Sequence, residues 1–584
     1  MILVIQTLII YFVITGYGFL TKKIANIRLE SKNFFDSFFL GIVFLSFLGL
    51  LINIFFPLNY IVSYSIILIG ILSNFLFFKK NIKNLLIEGL VLSIFVLILL
   101  SKSKVYDDFG LYHLPVITKI TDSNIILGIS NIHFRYGHNF SLFYSAALFN
   151  NHFISLDSIH SIMGLIYVAF IYFLYRKIFN IKNSNIIRLF SLFILIYYLC
   201  AYYDYGNHGL DIPASIFFFL VLLSSLEVIL EKKIHISLYK IFYFSIFLIT
   251  LKISYLFVFL IPTYLFYNNR NKNIKISLKK IFILLIPLLL WMLTNFLTTS
   301  CLLYPKKEFC FKTSWASPAK NWQSSPDEVY TEISAWSKGW IDSFENRQPP
   351  DFENREQAIN HMKKYLTTNW LLHYFKHFKE HVLKTIFISI LILLILKLCF
   401  KIRLQNQNNK NNKKFLFIFI IILLNIIFWF LSAPLIRFGF AYFIATFFLL
   451  FIFFFNLNFN LNKKTSLFLT MFALTIFLSR NLIPERVNNF NEDFYKPYPN
   501  KFSKSLVTKL DLIEINKLDS IEIKKRANDL KYLAIKYPVG SINLILNSTC
   551  HDIPSPCTHF REINFDKVFF TKVGLFKKIS VLND

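Results

Sequence analysis

Charge is scarce in this chain. Only 16% of its 584 residues are charged, and acids are the rarer sign, with 33 Asp and Glu against 62 Lys and Arg. With 55% hydrophobic residues and a mean hydropathy of +0.53, it carries far more apolar surface than a soluble core hides. An ordinary soluble domain is excluded, and an all-α, multi-pass membrane protein is expected. The net charge of +29 raises the question of nucleic acid. Lys and Arg fall in short clusters between apolar runs instead of along one face, so no nucleic-acid partner is expected.

Three further things are missing. No basic stretch precedes the first apolar run and no small-residue site follows it, so no cleavable signal is expected. No internal repeat is visible, which disfavours the common transporter architectures. No segment on the basic side of the spans is long enough for a nucleotide-binding domain.

The basic clusters orient what is there. Residues 2–20 form a first span that ends at Lys22, Lys23, Arg28 and Lys32, so its far end faces the cytoplasm. Spans follow over 34–56, 60–78 and 85–101, then over 158–175, 186–203 and 212–230, alternating in sign at every turn. The run 239–267 is long for one crossing and short for two. Since basic clusters flank both of its ends, it reads as a hairpin or two short helices, with Lys252 toward the outer face. Spans over 281–299, 383–400, 414–431, 438–456 and 465–479 complete about fourteen crossings, with both termini outside.

This topology divides the chain into N-terminal transmembrane segments (1–101), a first outer loop (102–157), a transmembrane core (158–299), a second outer loop (300–382), further transmembrane segments (383–479) and an extracytoplasmic C-terminal module (480–584). The module mixes helical spacing over 503–535 with the hairpin-like alternation of KVFFTKVGLFKKISV, which suggests a small α+β unit. Cysteines agree with the sidedness. Cys301 and Cys310 fall in the second outer loop and Cys550 and Cys557 in the tail, as two close pairs suited to disulfides in an oxidising compartment. The competing reading is zinc, but these spacings are not those of common zinc sites.

Chemistry is expected where acids and bases meet at the outer rim. Asp107 and Asp108, between Tyr106 and His113 in VYDDFGLYHLP, end one apolar run and open the first loop. Unpaired carboxylates are costly beside hydrocarbon, so an acidic pair there serves an ion, a proton or a substrate. Asp204, His208 and Asp211 in YYDYGNHGLDIP, Lys252 in ITLKISY and Arg437 in SAPLIRFGF lie at the same face. The plainer readings are an N-cap for Asp211, a snorkelling Arg437 and a shifted boundary at Lys252. Together they suggest a polar cavity for a substrate with a lipid tail and a phosphorylated head. In such a cavity Asp107 or Asp108 takes the acceptor's proton, while His113, Asp211, Lys252 and Arg437 bind the substrate and its phosphate. A divalent cation, Mg or Mn, held by Asp107 and Asp108 is a further expectation. His133 and His138 read as ordinary loop residues.

The blocks YDDFGLYHLP, GISNIHFRYGHNFSLFYSAALF, CLLYPKKEFCF with SAWSKGW, WFLSAPLIRFGF and CHDIPSPCT resemble those of a family of bacterial polytopic proteins related to the GT-C superfamily of glycosyltransferases. The resemblance covers most of the chain from about residue 100 onward. In GT-C enzymes such as the protein O-mannosyltransferases and the aminoarabinose transferase, an acidic residue of the first large outer loop is base or metal ligand; here it falls on Asp107 and Asp108. The chain departs from those enzymes in having three spans before the one that leads into the acidic loop. The resemblance implies a GT-C-like helical bundle in the bacterial inner membrane. It also implies a lipid-linked sugar donor, a cell-envelope glycan or lipid acceptor, and inverting transfer between them. A flippase or transporter, and a polymerase or ligase, for lipid-linked saccharides are the alternatives.

Overall fold

The computed structural model describes residues 2–482 apart from 25–33, 101–111, 151–156, 201–208, 232–233, 270–277, 317–324, 348, 351, 353–354, 369, 404–411 and 456–460, together with five strands between residues 532 and 581. Four apolar helices open the chain: α1 (Ile2–Ile24), α2 (Phe34–Phe55), α3 (Tyr60–Phe78) and α4 (Ile82–Leu100). The first loop folds as α5 (Leu114–Asp122), β1 (Ile126–Leu127), two 3₁₀ turns and α6 (Ser141–Leu148). The bundle resumes with α7 (Asp157–Phe179), α8 (Asn185–Cys200), α9 (Asp211–Leu230), α10 (Ile234–Leu251), α11 (Leu260–Asn269) and α12 (Leu278–Thr299). After α13 (Pro326–Ser337) and α14 (Arg355–Thr368) of the second loop, it closes with α15 (Trp370–Cys399), α16 (Asn412–Ser432), α17 (Ile436–Phe454) and α18 (Lys463–Leu482).

Each expected span is helical over its described residues, end residues aside and save for the break at Lys252 within 239–267. Among the described residues, nine helices are long and apolar enough to cross a membrane, and shorter apolar helices lie within α8, α10 and α12. The candidate span of α9 is wholly buried, so it forms the centre of the bundle. Phe217 shows why: its ring lies 4.7 Å from that of Phe247, 5.5 Å from Phe244 and 5.9 Å from Phe39, so one aromatic residue joins three helices by edge-to-face contacts. By contrast α3, α4, α15, α16 and α18 leave Leu76, Ile87, Phe387, Ile427 and Phe468 exposed. Such a shell suits lipid and would be a liability in water.

The run 239–267 resolves into two helices. α10 stops at Leu251, and Lys252 is extended with φ −152° and ψ 119°. A 3₁₀ segment over Ile253–Phe259 then leads into α11. One difference from the hydropathy reading is α15, which begins at Trp370 instead of near 383 and has 30 residues. At 1.5 Å per residue it is about 45 Å long, more than the roughly 30 Å of a bilayer core, so its amphiphilic first turns stand clear of the span.

The two ends of the bundle differ. At one end, Lys240 pairs with Asp36 at 2.8 Å, Lys177 pairs with Glu227, and Lys22 donates to the Ser37 hydroxyl at 2.8 Å, which ties α1, α2, α7, α9 and α10 together. At the other end lies the first loop. Asn53 near the end of α2 donates to the carbonyls of Ile120 and Ser123, at 3.1 and 2.9 Å. Ser130 of the loop reaches the Thr298 carbonyl of α12 at 3.2 Å.

The remaining strands form two sheets. β2 (Tyr532–Tyr537) pairs antiparallel with β3 (Gly540–Ile545), which pairs parallel with β4 (Cys557–His559). The expected hairpin is β5 (Val568–Val573) with β6 (Phe576–Val581), antiparallel, with Val568 opposite Val581. β6 also pairs parallel with β1, Ile126 opposite Lys577, so the hairpin completes a sheet begun in the first loop.

Candidate functional site: a cationic cluster at the loop end of the bundle

Three expected residues from three distant segments meet at this end. Asp211 is the first residue of α9, Lys252 the residue that breaks the chain after α10, and Arg437 the second residue of α17. Asp211 is ion-paired with Lys252 through Oδ1, and its Oδ2 lies 3.6 Å from Arg437 Nε. The Lys252 ammonium also sits 3.2 Å from the centroid of Phe438, and the Arg437 guanidinium 5.0 Å from it. An aromatic face attracts both cations, so the carboxylate and the ring hold them close despite their repulsion.

Local chemistry fixes this geometry. Tyr442 of α17 donates to the Ser254 carbonyl at 3.0 Å, and its ring lies 4.8 Å from that of Tyr255, which locks α17 to the 3₁₀ segment after Lys252. The turn before α17 is held by Trp429, whose indole N–H donates to the Leu435 carbonyl at 2.9 Å. Gly439 is required there: a Cβ at that position would lie 2.5 Å from Trp429 Cε2. Tyr374 of α15 bonds the Pro434 carbonyl at 2.9 Å from the other side. These contacts fix the backbone that carries Arg437, whose half-exposed side chain reaches Asp211.

The first loop is joined to the helix that leads into this cluster. Ser141, at the start of α6, shares a 2.6 Å hydrogen bond with Thr250, two residues before Lys252. His113 is buried, with its ring centroid 4.2 Å from that of Tyr112 and 5.4 Å from that of Phe143. Burial pushes the His113 imidazole down to about 3, and the positive charges of Arg135, Arg437 and Lys252, with His160, act in the same direction. His113 is thus a neutral ring in a positive field. His138 is likewise pushed down to about 4 by burial, aided by Arg135 and His133.

Arg135 escaped the reading of the sequence. Its guanidinium lies 5.3 Å from the ring of Tyr112 and 5.5 Å from that of Phe134. The signal for it was a single Arg among aromatics and histidines in HFRYGHNF, on the same face as the other cations. Asp107, Asp108, Asp204 and His208 lie outside the described residues, and no group of three or more His, Cys, Asp or Glu that could hold a metal ion occurs among the described ones. Cys301 and Cys310 form the expected disulfide. Cys550, and with it the bond expected to Cys557, lies outside the described residues.

A groove of about 660 Å³ runs along α4, α7, α8 and α18, from Asn84 and Tyr175 at one end to Leu99 and Leu199 at the other. Its lining is almost wholly apolar; within it, Glu88 accepts a hydrogen bond from the Tyr11 hydroxyl at 2.8 Å. A model of the family described as a domain of unknown function, DUF8201, matches residues 1–444. The chain belongs to the DUF8201 family. The DUF8201 match takes in Asp211, Lys252, Arg437 and Arg135, whereas β2 to β6 lie beyond it. No curated protein and no solved structure matches the chain.

Proposed function

We propose that this protein is a membrane glycosyltransferase that moves a sugar from a polyprenyl-phosphate-linked donor to an extracytoplasmic acceptor, a cell-envelope glycan or lipid. The observation that carries the reading is the meeting of Asp211, Lys252 and Arg437 from three separate segments, joined to a loop that holds a neutral His113. Cations gathered at the rim of a helical bundle suit a phosphate that sits where lipid meets water. The apolar groove along α4, α7, α8 and α18 is of a kind that takes a hydrocarbon chain.

In this mechanism Asp107 or Asp108 accepts the proton of the acceptor hydroxyl as its oxygen bonds to the anomeric carbon. The anomeric C–O bond to phosphate breaks, its electron pair leaves with the phosphate oxygen, and Lys252 and Arg437 stabilise that charge. A single in-line displacement inverts the anomeric configuration. Asp107 and Asp108 would also be the ligands of a Mg or Mn ion, as hard carboxylate donors. The reading includes a GT-C relationship, about fourteen crossings of the bacterial inner membrane, both termini outside, and a small C-terminal α+β module.

One observation favours a second reading. A helix interrupted at a charged residue, as at Lys252, is a feature of transporters, so a flippase for lipid-linked saccharide is the alternative. The test is transfer of labelled sugar from a polyprenyl-phosphate donor by purified protein. Asp107→Asn or Asp108→Asn is expected to lose about 10²- to 10⁴-fold in turnover while donor binding persists. Lys252→Ala and Arg437→Ala are each expected to weaken donor binding by about 1–3 kcal/mol. Wild-type turnover in both Asn variants would take the base role from Asp107 and Asp108, and no transfer by the wild-type protein would move the flippase ahead.

A further inference from the structure

Glu88 is a carboxylate set in apolar surroundings. It lies half-buried on the wall of the groove along α4, α7, α8 and α18, one turn inside Asn84 and among Ile87, Val91 and Leu92. The hydroxyl of the fully buried Tyr11 donates to one of its oxygens at 2.8 Å. The charge of the exposed Arg176 acts on Glu88, yet among the described residues the carboxylate forms no ion pair. A carboxylate beside lipid without a counter-ion is costly, so such a group is read as a site for a ligand or a proton.

The shape of the groove selects between them. From Asn84 to Leu99 it follows fifteen residues of α4, about 22 Å at 1.5 Å per residue, so its volume of about 660 Å³ gives a cross-section of about 30 Å² and a width of about 6 Å. A helix from another protein is about 10–12 Å across with its side chains and does not fit, whereas an extended acyl chain does. Tyr172 and Tyr175 line the end beside Glu88, with ring centroids 6.0 Å apart, and Arg176 follows them. Tyrosines and a basic residue at the end of a span mark headgroup depth.

We infer that the groove holds one acyl chain of an ethanolamine phospholipid, with the lipid's ammonium on Glu88 and its phosphate on Arg176. The head group carries both charges, and two carbons separate its ammonium from the phosphate ester oxygen. One molecule therefore bridges a carboxylate and a guanidinium that do not pair directly. A glycerol head group brings phosphate and hydroxyls and leaves Glu88 without a counter-ion. A choline head group brings the positive charge but has no N–H to donate. Arg176 precedes Lys177, at the end of the bundle opposite Lys252 and Arg437, so this lipid is not the donor. The inference stands apart from the glycosyltransferase reading.

The test is native mass spectrometry of the purified full-length protein in detergent, titrated with ethanolamine, glycerol and choline phospholipids of identical chains. Wild type is expected to hold one ethanolamine lipid about 10-fold more tightly than either of the others, the scale of one charge-assisted contact. Glu88→Gln is expected to erase that preference, and Arg176→Gln to weaken all three lipids alike. Val91 is 46% exposed on the groove wall, so Val91→Trp fills the channel without crowding the core and is expected to abolish retention. Thermal unfolding identifies the variants that keep their fold, and the wild-type comparison needs no variant. Equal affinity of wild type for the three lipids, or an unchanged preference in a folded Glu88→Gln, would overturn the assignment. So would full retention by a folded Val91→Trp, or a wild-type dimer that takes up no lipid, which would give the groove to a second copy of the chain.

Discussion

Asp211 and Lys252 form an ion pair between the first residue of α9 and the residue that ends α10, and Arg437 approaches the other oxygen of the same carboxylate at 3.6 Å. Removing the carboxylate alone leaves the mostly buried Lys252 ammonium facing the half-exposed Arg437 guanidinium. Asp211→Asn is therefore expected to lower stability by about 1–3 kcal/mol, and Lys252→Gln in that background to recover part of the loss. Thermal unfolding of the two single variants and the double variant checks this. Strict additivity would show that the pair is not coupled.

Gly128 is the joint of the loop end. Its φ is +67°, its N–H donates to the Leu297 carbonyl at 3.1 Å, and an added Cβ would lie 2.7 Å from the Trp315 carbonyl oxygen and 2.8 Å from that of Ile579. α12, the second loop and β6 thus meet at one residue that only glycine fits. Gly128→Val is expected to cost about 1–3 kcal/mol and to free the terminal hairpin to proteolysis. Digestion of the variant at the wild-type rate would mean that the backbone shifts there at little cost.

The helices were legible because each apolar run is long and bounded by basic residues at one end, and the break at Lys252 was legible because basic clusters flank both ends of its run. The Cys301 to Cys310 bond followed from their spacing and position. Hydropathy missed the early start of α15, because Trp370, His373 and Lys376 interrupt the apolar signal while the helix continues beyond the span. The pairing of Ile126 with Lys577 was invisible, since a two-residue strand has no periodicity and its partner lies at the far end of the chain. Asp211, Lys252 and Arg437 could be listed from sequence as rim charges. Their sharing of one carboxylate and one ring depends on Tyr442 and Trp429, whose roles are set only by packing.

Lys119 is a buried cation on α5, 4% exposed, and burial pushes its ammonium down from 10.5 to about 7. A lowered folded value means that the unfolded chain binds more protons between those limits, so this residue's penalty is relieved as pH rises from 7 towards 10.5. Lys119→Met keeps the length of the side chain without the charge. It is expected to stabilise the loop by about 1–3 kcal/mol near neutral pH and to flatten that alkaline rise. A destabilised Lys119→Met would instead show that the ammonium is held by a partner.

Acid should act on the same loop through its histidines. His113 and His138 have folded values of about 3 and about 4 against an ordinary 6.5, so between those limits the unfolded chain takes up protons that the folded loop refuses. Stability is fully present above 6.5 and is lost as pH falls through the window below it. The cause is burial first and the Arg135 charge second, so acidification sets new positive charge in a buried place beside a cation already there. Protection of residues 112–150 against hydrogen exchange, corrected for the intrinsic rate, is expected to fall from about pH 6.5 towards pH 4, and His113→Gln with His138→Gln to remove most of that dependence. A wild-type loop whose exchange showed no acid-linked opening beyond the intrinsic chemistry would mean that both rings protonate in place and that the site tolerates their charge.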